Sequence, residues 1–352
     1  MTREPGDRLQ TNRNLSIHEE LEMTLTRRRL FGVAIVLSVG TLASCSSSKA
    51  PGAASGQPTS SAAPTSAGPS TSVGPTAPAS VSTAFPVTVQ AANGPVVIKA
   101  LPVAVISLSP TATEVLFAIG AGKQVVAVDD QSSYPPEAPR TDLSGFKPNV
   151  EAIAAKKPDL VVIADDSAKL ADSLGKLGIA VLVEPPAKTF DDVYAQIGQI
   201  GAAVGKAPEA KGVADQMRST ITELVSAAPK KAVRIYHEVD STLYAASSSS
   251  FIGQVYKQFG VTNIADAADK DASGYPQLSN EAVVAADPQV IFLADATYGK
   301  QDARTVAARA GWAGIDAVKN GRIVTLDDDI ASRWSPRLVL LVKAVADGLA
   351  KA

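Results

Sequence analysis

The sequence predicts an α/β fold: two Rossmann-like lobes with parallel sheets, joined by one long connecting helix, with a ligand cleft between the lobes. Three observations predict it. Past about residue 103, short apolar runs alternate with helical stretches closed by glycine. An eleven-residue segment starting at Glu151 recurs 130 residues later, at Glu281. A long amphipathic stretch separates the two copies.

Each element has its own warrant. Val103 to Leu108 reads as a buried strand, Thr111 to Ile119 as a helix stopped by Gly120, and Val125 to Val128 as a second strand. Asp159 to Ala164 and Ala180 to Val183 continue the series, with a helix from Lys169 to Leu177 stopped by Gly178. In the repeat, Glu151-Ala152-Ile153 through Pro158 to Val161 matches Glu281-Ala282-Val283 through Pro288 to Ile291. A glutamate opens a short helix and a proline seven residues on ends it before a buried strand. Upstream of each copy lies a helix ending in glycine, at Gly120 and Gly260. Between the copies, Val213, Met217, Ile221, Leu224, Val225 and Ala228 recur at helical spacing behind Pro208. The expected divisions are a first lobe at 85–207, a connecting helix at 208–229 and a second lobe at 230–352.

The first 84 residues read differently. Arg27-Arg28-Arg29 precede an apolar run from Leu30 to Gly40 that ends in Leu42-Ala43-Ser44-Cys45. A charged start, a run too short to span a bilayer and small residues before a cleavage point make 1–44 a signal peptide, with Met23 an alternative start and either the general or the twin-arginine route open. Leu-Ala-Ser-Cys resembles the bacterial lipobox, which implies lipidation of Cys45 and an anchor on the outer face of the membrane. Residues 45–84 are the lipidated cysteine and a Ser, Ala, Pro and Gly tether, too polar and too aperiodic to bury anything.

Composition excludes several function classes. A net charge of −2 over 352 residues supplies no basic face for nucleic acid. One cysteine allows neither an intramolecular disulfide nor a thiolate metal cluster, and two histidines, one of them in the leader, exclude a three-histidine metal site. Gly120-Ala121-Gly122-Lys123 follows a helix instead of a strand, so it is no phosphate loop. With no Gly-x-Ser-x-Gly elbow, an α/β enzyme with an unrecognised site stays only as an alternative. The acidic pairs Asp129-Asp130, Asp165-Asp166 and Asp327-Asp328-Asp329 read as solvated loop acids.

From Val103 to Leu349 the chain resembles the helical-backbone, class III periplasmic substrate-binding proteins for vitamin B12, haem and ferric siderophores. The resemblance rests on Ile106 to Glu114, Tyr134-Pro135-Pro136-Glu137-Ala138, Asn149 to Ile153 with Lys157 to Val161, Tyr275-Pro276-Gln277-Leu278-Ser279, and Ser335-Pro336-Arg337. It implies a non-enzymatic monomer with no cofactor, which captures an iron complex or corrinoid for an ABC importer's permease and ATPase. A sensing or envelope lipoprotein on the same scaffold is the alternative. The resemblance assigns Glu151 and Glu281 to docking on the transporter. It assigns Tyr134, Phe146 and Tyr275 to aromatic contact with the ligand and Arg333 to its polar rim, with Trp334 beside the cleft. Phe146 cannot ligate iron. His237, at a strand end, is either an axial ligand or, the favoured reading, locally hydrogen-bonded.

Overall fold

The computed structural model describes residues 85–229 and 231–352. The leader, the tether and Cys45 lie outside the described residues. An antiparallel hairpin of β1 (Val87–Ala91) and β2 (Gly94–Ile98) comes first. The first parallel sheet then uses β3 (Val105–Leu108), α1 (Pro110–Ala118), β4 (Val125–Val128), α2 (Val150–Ala155), β5 (Leu160–Ile163), α3 (Leu170–Gly175) and β6 (Ala180–Val183). Its strands lie in the order β4-β3-β5-β6. Strand β3 begins two residues later than its apolar run suggests. The amides of Val103 and Ala104 are held by the Asp159 carboxylate, at 2.8 and 2.9 Å, and so do not enter the ladder.

The hairpin closes the β6 edge of this sheet. The Ala92 amide donates to the Val183 carbonyl at 3.1 Å, and the Asn93 carboxamide both donates to Val181 O and accepts from Val183 N. One asparagine side chain thus stands in for the next strand's peptide, which blunts an edge that would otherwise invite foreign pairing.

Helix α4 (Phe190–Ala203) starts with a reciprocal cap between Thr189 and Asp192, and the 21-residue α5 (Ala207–Ala227) carries Pro208 in its first turn. At 1.5 Å per residue, α5 runs roughly 30 Å. The second sheet follows, with β7 (Arg234–Glu238), α6 (Phe251–Phe259), β8 (Thr262–Asn263), α7 (Asn280–Ala286), β9 (Val290–Leu293), α8 (Ala303–Ala307), α9 (Asp316–Lys319) and β10 (Ile323–Thr325). Helices α10 (Asp328–Ser332) and α11 (Leu338–Leu349) complete the chain. The order is β10-β9-β7-β8. Numbered within its own half, each sheet runs second-first-third-fourth, so the sequence repeat is a repeat of topology.

The repeat extends to detail. Asn149 caps α2 by accepting from Ala152 N, and Ser279 caps α7 by accepting from Ala282 N. Ile153 and Val283 are both fully buried. The residues before the two prolines, Lys157 and Asp287, both take left-handed φ values, 51° and 46°. Gly120 and Gly260 end the preceding helices at φ 76° and 69°, where a side chain would be strained.

Strand parity sorts the core. On β5, Val161 and Ile163 face one cluster together with Ile106, Ile153 and Leu174; on β9, Ile291 and Leu293 face another with Tyr236, Val283 and Trp312. The alternate residues, Leu160 and Val162 with Val290 and Phe292, enter one common cluster with Met217 and Ile221 of α5 and Leu341, Val342 and Val345 of α11. Each sheet therefore keeps a private outer core and shares the inner one.

A buried ion cluster ties the halves on the polar side. Glu114 of α1 is 3% exposed, and both its oxygens are engaged from the far end of the chain. Arg337 donates through Nε to Oε2 at 2.8 Å and through Nη2 to Oε1, Ser335 Oγ donates to Oε2, and Arg333 Nη1 donates to Oε1 at 3.3 Å. Removing one partner leaves a buried charge uncompensated, which costs about 3–5 kcal/mol. Glu114→Ala is accordingly expected to lower the free energy of urea unfolding by that amount, whereas exposed Lys211→Ala, which breaks only the surface pair with Asp215, is expected to change it by less than about 1 kcal/mol.

Candidate ligand-binding site

In a parallel βαβ layout, loops that leave strand C-termini gather at one end of the sheet, and ligands bind there. In the first sheet this rim is built tightly. A Cβ on Gly145 would sit 2.5 Å from the Leu108 carbonyl oxygen, so glycine is what lets the 144–149 loop lie against the end of β3. The loop projects Phe146, which is 61% exposed. Tyr134, 43% exposed, precedes a cis Pro135, and the Arg337 guanidinium lies over its ring at 4.1 Å. Below them Asp129 is buried and accepts from Ser132 Oγ; burial raises its pKa to about 6.

In the second half, Tyr275 is half-buried, and burial pushes its phenol up to about 12. Its loop is pinned on both sides, by Gly274 N donating to the Asp269 carboxylate and by Ala245 N donating to Pro276 O.

Arg333 departs from its expected part. It is 8% exposed and four donor contacts are spent inside the protein: on Glu114, on Ser133 Oγ at 2.8 Å, on Gln131 O at 3.0 Å, and on Asp329 at 2.9 Å. The guanidinium straps the 131–133 loop of the first half to the end of α10 and does not stand as an open cation at a rim. His237 is fully buried, shares a 2.7 Å hydrogen bond with Tyr256 Oη, and has its pKa lowered by burial to about 3. A side chain so enclosed on β7 is held by its local bond, not presented as an axial ligand.

Two of the acidic pairs also need correcting. Asp129 and Asp328 are buried, not solvated, and Asp328 holds the amides of Thr297 and Tyr298 at 2.9 and 2.8 Å. Beside it, Glu238 is paired bidentately with Arg309, and Asp295 is 5% exposed with neither carboxyl oxygen bonded to another described residue. Burial, then the neighbouring Glu238 charge, raises Asp295 to about 8. Among the described residues no group of three or more His, Cys, Asp or Glu side chains is placed to hold a metal.

Trp334 is half-buried and stacks on Phe251 with ring centres 4.1 Å apart; Phe251 in turn meets Phe190 of α4 at 5.7 Å. Behind Trp334 lies a cavity of about 90 Å³. Its wall includes Ser109 after β3, Ala164 after β5 and Glu184 after β6, together with Ser332 at the end of α10 and Trp334 just past it, so the strand ends of the first half meet residues of the second there. Tyr134, Phe146 and Tyr275 are not in that wall. Glu184 is a site residue that the sequence reading passed over. It is 7% exposed, its Oε1 has no hydrogen-bond partner among the described residues, and burial raises its pKa to about 8. The available signal was an acid placed between a buried strand and Pro185-Pro186.

Glu151 and Glu281 are both exposed, in the first turns of α2 and α7. A helix between parallel strands runs back along the sheet, so both first turns lie at the strand C-terminal end, with the loops above.

The periplasmic binding protein family model matches residues 105–330, which span both sheets, and the chain belongs to that family of substrate-binding proteins. It is 32% identical over 277 residues to YvrC of Bacillus subtilis, named an uncharacterized ABC transporter substrate-binding lipoprotein, covering 75% of this chain and 86% of that one. A cobalamin-binding protein of Halobacterium salinarum is 30% identical over 278 residues, covering 75% and 74%. Among solved structures, the periplasmic vitamin B12 binding protein BtuF of Vibrio cholerae superposes with a TM-score of 0.58 at 27% identity, covering 71% of this chain and 97% of that one.

The buried acids set a pH dependence. Glu184 and Asp295 start from ordinary values of 4.5 and 3.8 and reach about 8 when folded. Between those limits the folded chain keeps protons that the unfolded chain has released, so stability falls as pH rises and levels off above about 8. Thermal melts from pH 5 to 8.5 are expected to show a falling melting temperature in the parent and a shallower fall in Glu184→Gln and in Asp295→Asn.

Proposed function

We infer that this chain is the substrate-binding protein of an ABC importer, the component that captures a ligand and hands it to the permease. The duplicated half carries this reading. Two sheets of identical strand order each present one exposed glutamate at the equivalent first turn, on the same end as the ligand loops. A pair of carboxylates so placed suits a partner built from two like subunits, each offering a cation to one half.

The ligand class we propose is a corrinoid, before haem or an anionic siderophore. Tyr134 and Phe146 of one half and Tyr275 of the other offer aromatic surface to a broad, largely apolar face. A ligand with several carboxylates needs several free cations, and Arg333 is committed to Glu114 and Asp329. A relative 30% identical over the same body is named for cobalamin. We place the division between lobes along α5, and the protein on the outer membrane face through a lipid on Cys45.

Three measurements test these points. Trp334 is half-buried beside the proposed site and Trp312 lies in the core of the same half, so tryptophan emission reports on a bound chromophore. A titration series against cobalamin, haem and siderophores is expected to quench with cobalamin, and Tyr275→Ala to weaken that response without lowering the melting temperature by more than a few degrees. Glu151→Ala with Glu281→Ala is expected to leave binding intact while reducing uptake, since each charge-assisted contact contributes about 1.5–3 kcal/mol; normal uptake would sink the docking assignment. Cys45→Ser is expected to leave the membrane fraction or to persist as unprocessed precursor, and wild-type fractionation would refute the anchor.

A further inference from the structure

The cavity behind Trp334 is unlike the aromatic rim. Its wall combines apolar groups such as Pro185, Val193 and Ile200 with one titratable side chain, Glu184, and contains no lysine, arginine or histidine. An anionic group entering it would meet no counter-charge. An ammonium would require Glu184 to ionise and the pair to be sealed in an apolar recess, where desolvation consumes most of the attraction. A neutral carboxyl has a better partner. It offers one donor and one acceptor side by side, and the complementary group is a primary amide, whose carbonyl accepts the O–H while its N–H donates to the other oxygen. That exchange satisfies Oε1, buried here without a partner among the described residues, and moves no charge into low dielectric.

The dimensions agree. A space of about 90 Å³ is several times what one water requires and suits a substituent of a few heavy atoms, not a macrocycle. Its wall joins strand-end residues of the first half to Ser332 and Trp334 of the second. We propose that Glu184 receives one primary-amide side arm of the ligand in this cavity, through a reciprocal pair of hydrogen bonds, while the body of the ligand rests on the aromatic rim outside. The proposal rests on the corrinoid reading above and deepens it: it selects ligands whose periphery carries carbamoyl groups over those that carry carboxylates at the same place.

The test uses the mature chain, cobalamin, and the cobalamin monocarboxylic acids in which a single side-chain amide is hydrolysed. The parent is expected to bind one of these acids at least about tenfold more weakly than cobalamin, and its affinity for cobalamin to fall as pH rises from 7 to 9. Glu184→Leu is expected to lose about tenfold in affinity for cobalamin and to stop discriminating against that acid. Glu184→Gln, which keeps a donor and an acceptor, is expected to bind within about threefold of the parent with the pH dependence gone. A ligand-free control adds an infrared readout, in which the neutral-carboxyl band of the parent at pH 7 loses intensity in Glu184→Gln. Equal binding of all the monocarboxylic acids, or a Glu184→Leu variant as tight as the parent with an unchanged melting temperature, overturns the assignment of Glu184 and leaves the corrinoid reading standing. A parent that binds haem or a siderophore and no corrinoid overturns both, and leaves the importer reading.

Discussion

The buried carboxylate of Glu114 is the constraint around which the two halves are arranged. It sits 3% exposed in the first half, and its counter-charges, Arg333 and Arg337, arrive more than 200 residues later. A charge buried in that position needs partners; with two guanidiniums and Ser335 Oγ on it, the site is satisfied only when the end of the chain has returned to α1. The same two arginines then organise their surroundings. Arg333 ties the 131–133 loop to Asp329, and Arg337 lies over Tyr134, so the rim on which that tyrosine stands is set by the ion cluster beneath it.

This arrangement bears on how the protein holds a ligand. The inner faces of both sheets share one apolar cluster with α5 and α11, and the Phe190, Phe251 and Trp334 rings carry aromatic contact from one half to the other. Opening the halves like a hinge would have to separate a charge cluster, an aromatic bridge and a packed core together. Adjustment to a ligand is cheaper in the strand-end loops, where Phe146 is exposed. The scaffold is thus suited to presenting a preformed site, which reduces the ordering cost of binding.

Most of the scaffold was legible in the sequence because its signals are local. Strands β4 and β6 fall at the expected residues, α5 begins one residue before the expected Pro208, and Gly120 and Gly260 stop the helices they were expected to stop. The repeat was visible because both halves spend glutamate and proline in the same places. The hairpin was missed although Asn93-Gly94 between apolar residues marks it, and its use as an edge cover depends on Val181 and Val183, about 90 positions away. The site was less legible for the same reason. Arg333 could be placed on a strand-end loop from sequence, but Glu114, which decides whether its charge is free, is 219 residues distant. Asp129 and Asp328 look like solvated loop acids until the amides and hydroxyls they hold are seen.

What remains after the internal pairings are counted defines the chemistry the cleft can offer. Arg309 is spent on Glu238, Arg333 and Arg337 on Glu114, and His237 is enclosed with Tyr256. Lys147, in the 144–149 loop, stays exposed beside Phe146. The surfaces left to a ligand are aromatic faces, loop amides and hydroxyls, and the uncharged carboxyl of Glu184. Binding on such a surface gains chiefly from apolar area removed from water, at about 25 cal/mol per Å², with hydrogen bonds fixing orientation and discriminating among peripheral groups. A broad, nearly neutral ligand with amide edges matches that inventory. A compact polyanion does not, because Arg309, Arg333 and Arg337 are already committed to buried carboxylates and Lys147 is a single charge.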